Sequence, residues 1–245
     1  IASAEACLEK ELLLSPDSAQ AAVNLGWILE EQNRVPEALM QYRKALYYNP
    51  NHPDLRWNHG LACLMLGDYA RGWRDYEFRW KARNKRKPTY NKPEWKGEPL
   101  NNRSLLLHTE QGFGDTIMFL RFAQQMGRSD NRISLQCQAQ LKRLFSAQSE
   151  LEYVVANGEK LPSYDLQAPL MSLPHLLKLT RENNLHSQAY LSPDELSIAP
   201  IPEAKPGHKK VAVTWASAPH SEIQEKKTVP YSKFSKLFDT PNCTF

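Results

Sequence analysis

The sequence predicts a helical array, followed by a parallel α/β domain and the beginning of a second α/β half. Three observations predict this. Small and large residues recur at a spacing of 34 through the first third of the chain. From Ser104 onward, short apolar runs alternate with amphipathic stretches, strand then helix. The 245 residues include only 10 Gly, too few for the many tight turns of an all-β sandwich. With 41% hydrophobic and 24% charged residues the chain is ordinary for a globular protein. Collagen-like, low-complexity and wholly disordered classes are therefore excluded.

In the helical part, Ala4, Ala38 and Gly72 coincide at the repeat spacing. Leu8, Tyr42 and Tyr76 do the same, then Leu12, Leu46 and Trp80; Pro16 meets Pro50 and Gly26 meets Gly60. Small residues recur where paired helices approach closely, large ones fill the groove a turn later, and Pro marks the end of a pair. Tyr42, Tyr76 and Leu46 are accordingly assigned to the core. The unit Ala19 to Pro50 carries Leu25-Gly26, Ala38, Tyr42, Ala45 and Pro50 and resembles a tetratricopeptide repeat (TPR). A second unit starts at Pro53, and half a unit, Ala2 to Leu14, precedes both. That half-unit, and a start at Ile1 rather than Met, predict a natural chain that continues upstream. An array this short serves as a peptide groove, a spacer or a docking cap.

The run Gly72 to Trp80, GWRDYEFRW, holds Trp73, Tyr76, Phe78 and Trp80. That is more aromatic area than a solvent-facing end helix carries, so it is expected to pack against a second domain. Lys81 to Lys92 is strongly basic without an acid. A solvated linker is favoured there over an anion-binding patch, and a net charge of +4 does not argue for nucleic acid. Pro93 to Leu100 is expected to be extended and anchored by Trp95. Strands follow at Ser104 to Thr109, Ile133 to Gln136, Tyr153 to Ala156, Tyr164 to Gln167 and Lys210 to Trp215. Helices are predicted at Thr116 to Met126, Ala139 to Phe145, Leu170 to Leu179 and Ser232 to Phe238, with a turn at Gly112 to Asp115. Such alternation indicates a mainly parallel sheet with helices on both faces. The domains are then 1–82 (repeats), 83–103 (junction), 104–206 (first α/β half) and 207–245 (incomplete second half).

No apolar run approaches the roughly 18 residues of a membrane span. Cys7, Cys63, Cys137 and Cys243 are too sparse for a disulfide scaffold or a metal clip, which points to reduced thiols in a cytoplasm. His52, His59, His175, His186 and His208 show no ligand spacing. Neither a metal site nor a permanently bound cofactor is expected.

Ligands of parallel sheets bind outside the carboxyl ends of the strands. Two loops qualify. In His108 to Asp115, HTEQGFGD, Gly112 and Gly114 let the backbone turn and leave room for a ligand. The loop lacks the third Gly of a dinucleotide fingerprint and the Lys and Ser/Thr of a nucleotide P-loop. Asp115 opens the next helix, where free amides and the helix dipole stabilise a carboxylate and where a phosphate would otherwise bind. It suits a hydroxyl-bearing acceptor, which it can orient and deprotonate; a plain helix cap is an equal reading. The second loop, Trp215 to Pro230, contains Ser217, His220, Lys226, Lys227 and Thr228, which suit a diphosphate or an ordinary polar loop.

The order GWRDYEFRW, PEWKGEPL, LLLHTEQGFGDTIMFLRF, YDLQAPLMSLP, AYLSPD, VAVTWASAPH resembles the bacterial repeat-containing glycosyltransferases. These are similar to the O-GlcNAc transferase and SPINDLY group and, distantly, to the heptosyltransferases. The resemblance implies a glycosyltransferase-B fold of two Rossmann-like halves, acceptor on the first and nucleotide sugar on the second. It implies inverting, metal-independent transfer to a protein or glycan hydroxyl. Asp115 takes the place of the proposed base, and Glu110, Gln111, Gly112, Gly114 and Thr116 line the acceptor side. Trp215, Ser217, His220, Lys226, Lys227 and Thr228 fall on the donor side. Ser217 stands where the family usually has Gly, and Lys227-Thr228 where it commonly has Arg-Ser. With Phe245 inside the second half, most of the donor site is expected to be missing, and this stretch to be inactive by itself. The alternative is a TPR interaction module with a non-catalytic Rossmann-like domain.

Overall fold

The computed structural model describes residues 2–82, 86–127, 131–180, 189–191, 203–214 and 228–245. They divide into two compact units, Ile1–Pro193 and Asp194–Phe245.

The first unit opens with α1 (Ala2–Leu14), α2 (Ala19–Glu31), α3 (Val35–Tyr48), α4 (Pro53–Met65) and α5 (Tyr69–Tyr76). The helices α2 and α4 begin 34 residues apart, as do α3 and α5. Ser18 caps α2 by accepting from the Ala21 amide, and Asp68 caps α5 by accepting from the Arg71 amide. The recurring glycines are steric necessities. A Cβ on Gly26 would lie 2.2 Å from the Tyr42 ring, and one on Gly60 would lie 2.8 Å from the Tyr76 backbone nitrogen. Leu25, Leu29, Ala38, Tyr42, Ala45, Leu55, Ala62 and Cys63 form the buried core of the array.

One charge is sealed between α4 and α5. Asp75 is 0% exposed. It accepts from His59 Nδ1 at 2.8 Å, Arg74 Nε at 3.0 Å and Arg56 Nη1 at 3.3 Å. Burial alone would raise its pKa. The hydrogen bonds from His59 and Arg74 and the nearby guanidinium charges outweigh that and hold it below the ordinary carboxylate range.

After α5 the chain tightens into a 3₁₀ turn, Glu77–Trp80. As the aromatic run predicts, this end of the array packs on the α/β part. Trp73 meets Phe119 edge-on at 5.6 Å, and Trp57, Leu61 and Leu64 lie against the same core. The sheet comprises β1 (Leu105–His108), β2 (Ile133–Cys137), β3 (Tyr153–Ala156) and β4 (Leu166–Pro169), all parallel, in the order β3-β2-β1-β4. Helix α6 (Phe113–Gly127) joins β1 to β2 and α7 (Ala139–Ser146) joins β2 to β3. β1 is buried along its whole length, and β2 is buried but for the half-exposed Gln136, as strands of a covered parallel sheet should be. Beyond β4 the extended segment at Glu94 adds an edge: Trp95 N donates to Gln167 O and Gln167 N to Pro93 O.

Four expectations need correction. Helix α6 begins at Phe113 rather than Thr116, so Gly114 and Asp115 lie in its first turn. The helix expected over Leu170 to Leu179 divides into a 3₁₀ turn, Leu170–Ser172, and α8 (Leu173–Leu176). Pro174 has no amide to donate backward, so it serves in the first turn of a new helix, where none is needed. Of the strand expected over Lys210 to Trp215, the described residues, which run to Thr214, form only β5 (Lys209–Lys210) in the second unit. It pairs in parallel with β6 (Cys243–Thr244), with Lys209 N donating to Asn242 O and Val211 N to Thr244 O. Between them run α9 (Tyr231–Phe234) and a 3₁₀ turn, Ser235–Asp239, in place of one helix over Ser232 to Phe238. Among the described residues no helix is long and apolar enough to cross a membrane.

Candidate functional site

The strand order reverses between β1 and β4, so the crevice outside their carboxyl ends is the switch point at which ligands of open parallel sheets bind. Here the protein fills it with its own side chain. Arg79, from the 3₁₀ turn that ends the helical array, is 4% exposed. Its Nε and Nη2 donate to Glu110 Oε2 and Oε1 at 3.1 and 2.7 Å, a forked pair just after β1. Nη2 also donates to Ser172 Oγ at 2.8 Å, just after β4, and Nη1 to Glu77 Oε1 at 2.6 Å. Ser172 Oγ donates to Glu77 Oε2, closing the ring of bonds. The guanidinium also lies 4.9 Å from the centres of the Tyr76 and Trp80 rings. Burial opposes its charge, but the Glu110 and Glu77 carboxylates outweigh it and raise its pKa. Burial pushes the Glu110 carboxyl the other way, upward, with Arg79 pulling it back.

The open ground lies on the β1–β2 side. The backbone of Gly112 and Gly114 borders it. A Cβ on Gly114 would meet nothing within 4 Å, and neither glycine has a positive φ. Their value here is free space rather than a special turn. Asp115 Oδ2 accepts from the Gly112 amide at 3.2 Å, the reciprocal cap of a helix first turn. Among the described residues the other carboxylate oxygen takes no hydrogen bond. Gln138, which follows β2, braces the loop: its Nε2 donates to Gln111 O at 2.7 Å and to Thr116 Oγ1 at 3.0 Å.

The expected acceptor-side residues therefore separate. Gly112, Gly114 and Asp115 border open surface. Thr116 is buried and hydrogen-bonds Gly112 O and Gln138. Gln111 Nε2 donates to Tyr76 Oη at 3.0 Å. The Glu110 side chain is only 4% exposed and is committed to Arg79. On the donor side Thr228 lies in the second unit, while Trp215, Ser217, His220, Lys226 and Lys227 fall outside the described residues. Arg79, Ser172 and Gln138 were not foreseen. A lone Arg between Phe78 and Trp80 is the one hint in the sequence that a charge is enclosed by aromatic rings.

His108 closes β1 beneath this surface at 1% exposure. Tyr90 stacks on it at 4.4 Å and donates its hydroxyl to Gln136 Oε1, so this part of the basic run is docked rather than solvated. The neutral imidazole donates from Nε2 to Gln167 Oε1 at 3.0 Å. Burial pushes its pKa down to about 4. Because the folded value lies below the unfolded one of about 6.5, His108 favours the folded state fully above that pH. The contribution falls by up to about 1.4 kcal/mol per pH unit between the two values. Urea titrations at pH 7, 6 and 5 should show this loss, and His108→Gln should flatten it. Imidazole NMR signals should show His108 still neutral at pH 5.

Among the described residues no group of three or more His, Cys, Asp or Glu is placed to hold a metal ion. No family model matches the chain. It is similar to Protein FlbA of Caulobacter vibrioides, with 23% identity over 265 residues covering 97% of this chain and 44% of that protein. The chain thus spans less than half the length of that relative. The peroxisomal targeting signal receptor of Candida albicans is 36% identical over 63 residues, 26% of this chain and 11% of the receptor. Among solved structures, a mutant of the Thermobaculum terrenum O-GlcNAc transferase aligns with a TM-score of 0.30 and 14% identity, covering 62% of this chain and 37% of that one.

Proposed function

We propose that the chain is the helical-repeat and acceptor-binding part of an inverting, metal-independent glycosyltransferase of the glycosyltransferase-B type. The observation that carries it is Asp115: a carboxylate in the first turn of α6, one oxygen held by the Gly112 amide, beside two glycines that leave the surface open. The resemblance of the surrounding EQGFGDTIMFLRF segment supports the same assignment. In this mechanism the loop bonds to Gln138 and Tyr76 hold Asp115 in place. The carboxylate accepts the proton of an acceptor hydroxyl as its oxygen attacks the anomeric carbon of the sugar, and the nucleoside diphosphate departs on the opposite face. His220, Lys226 and Lys227 offset the charge of the departing diphosphate. The TPR-like array presents a protein or glycan acceptor. Free thiols at Cys7, Cys63, Cys137 and Cys243 fit a cytoplasmic setting.

The test is transfer from a panel of nucleotide sugars to protein and glycan hydroxyls, by this chain and by its natural reading frame at full extent. Product with the inverted anomeric configuration, formed at an undiminished rate in EDTA, is expected from the full frame. Retention of configuration, or a requirement for a divalent ion, would overturn the mechanism. A protein-interaction module with a non-catalytic α/β domain is favoured by one separate feature. A groove of about 500 Å³ between α1, α2 and α3 is lined by Leu12, Leu13, Pro16, Leu25, Tyr47 and Tyr48, and Leu13 is 82% and Tyr47 83% exposed. No transfer from any donor by the full frame would favour that module.

A further inference from the structure

We infer that Arg79 is a positioning residue: the helical array reaches into the switch-point crevice and clamps the Thr109–Gly112 loop, and with it the first turn of α6, from below. The inference rests on the reading of that loop as the acceptor site and adds what sets its geometry. Three segments distant in sequence meet at this guanidinium. Glu77 and Arg79 come from the GWRDYEFRW run, Glu110 from HTEQGFGD and Ser172 from YDLQAPLMSLP. The array supplies a second bond to the same loop, because Tyr76 Oη receives Gln111 Nε2 from the residue after Glu110. Gly112 and Asp115 follow directly, and the Gly112 amide is the group that Asp115 holds.

The chemistry of the clamp favours rigidity. A forked guanidinium–carboxylate pair fixes direction as well as distance. In a buried crevice neither partner can leave without stranding the other charge. Glu110 therefore has no freedom to meet a ligand. Its carboxylate ties the start of the loop to the array, while Gln138 ties its middle to the end of β2. The open surface at Gly112, Gly114 and Asp115 is what remains after both ties are made. Reaction centres of this kind depend on placing their groups to within a fraction of an ångström. A shift in the end of the array would move Asp115.

Hydrogen exchange followed by NMR on the full 245-residue chain tests this. Combining Arg79→Met with Glu110→Met removes the buried pair at once; the carboxylate left behind, Glu77, is 25% exposed, keeps its bond from Ser172 and can turn to water. The amides of Gly112 and Thr116 should then exchange about tenfold faster or more, while those of Leu105 to Leu107 and of α2 and α3 keep their wild-type rates. Tyr76→Phe, a milder change, should accelerate the same two amides about threefold. Unchanged exchange at Gly112 and Thr116 in either folded variant overturns the inference. So does an equal acceleration in β1, which would mark a role in stability alone. Transfer assays on the full frame separate this result from the proposed activity. With an active wild type, the double variant should raise the acceptor KM or lower kcat and leave the donor KM unchanged. An inactive wild type whose loop still responds in exchange keeps the clamp and removes the transferase.

Discussion

Asp115→Asn should lower acceptor-dependent sugar transfer about 10²–10⁴-fold, the range supplied by a general base, while leaving the fold and the acceptor KM nearly unchanged. The substitution is informative because it separates the observed cap from the proposed base. As a cap, Asp115 accepts from the Gly112 amide at 3.2 Å, and an Asn carbonyl oxygen can accept the same bond. At this third helical position the neutral amide keeps the bond and gives up only the helix-dipole attraction, about 0.3–1 kcal/mol. The amide cannot take a proton from the acceptor hydroxyl, so only the chemical step should suffer. Asp115→Ala removes both roles and should lose about 1 kcal/mol of stability in addition. If Asp115→Asn kept more than a tenth of the wild-type rate, the carboxylate would be a helix cap and nothing more.

Asp75→Ala should destabilise the helical array by about 3 kcal/mol, the low end of the cost of breaking a buried pair. Arg74 is 55% exposed and can turn to water, and Arg56 is 24% exposed, so neither is stranded. His59 is the partner with no escape, being 6% exposed with its Nδ1 bonded to Asp75. Asp75→Asn can still accept from His59 and should cost about half as much. The pH dependence follows from the direction of the shift. The folded carboxyl sits below its unfolded value of about 3.9, so its contribution is complete above that pH and is lost as pH falls through the folded value. The gap between wild type and Asp75→Asn in urea midpoint should therefore be full at pH 7 and narrowed at pH 3. Far-UV circular dichroism reads it directly, because the affected elements are helices.

The sequence by itself determined the elements whose signals are local. The 34-residue recurrence of Gly26 and Gly60 against Tyr42 and Tyr76 marks close helix pairs, because a Cβ at either glycine would collide with its partner helix. The runs read as strands at Ser104 to Thr109 and Ile133 to Gln136 form β1 and β2, since both faces of a parallel sheet are covered and Leu105, Leu106, Leu107, Ile133 and Leu135 supply the apolar side chains to bury. Tyr153–Ala156 and Ala2–Leu14 have the same bounds in the sequence and in the structure. Local signals failed where a partner or a backbone group decided the outcome. Pro174 divided an apolar stretch that looked continuous, and Lys209–Lys210 paired only where Cys243–Thr244 offered hydrogen bonds.

Only the tertiary structure decided what the polar residues do. Glu110, Gln111, Gly112, Gly114, Asp115 and Thr116 are contiguous or nearly so, and nothing in their order distinguishes a side chain turned inward from one turned to solvent. Packing the helical array against the α/β part put Arg79 beside Glu110 and Ser172, residues 31 and 93 positions away. That assigned Glu110 to a buried pair and left Asp115 at the surface. The physical reason is one of range. Hydrophobic periodicity is a property of a single segment and can be read from it. A buried charge pair exists only after distant segments have excluded water around it.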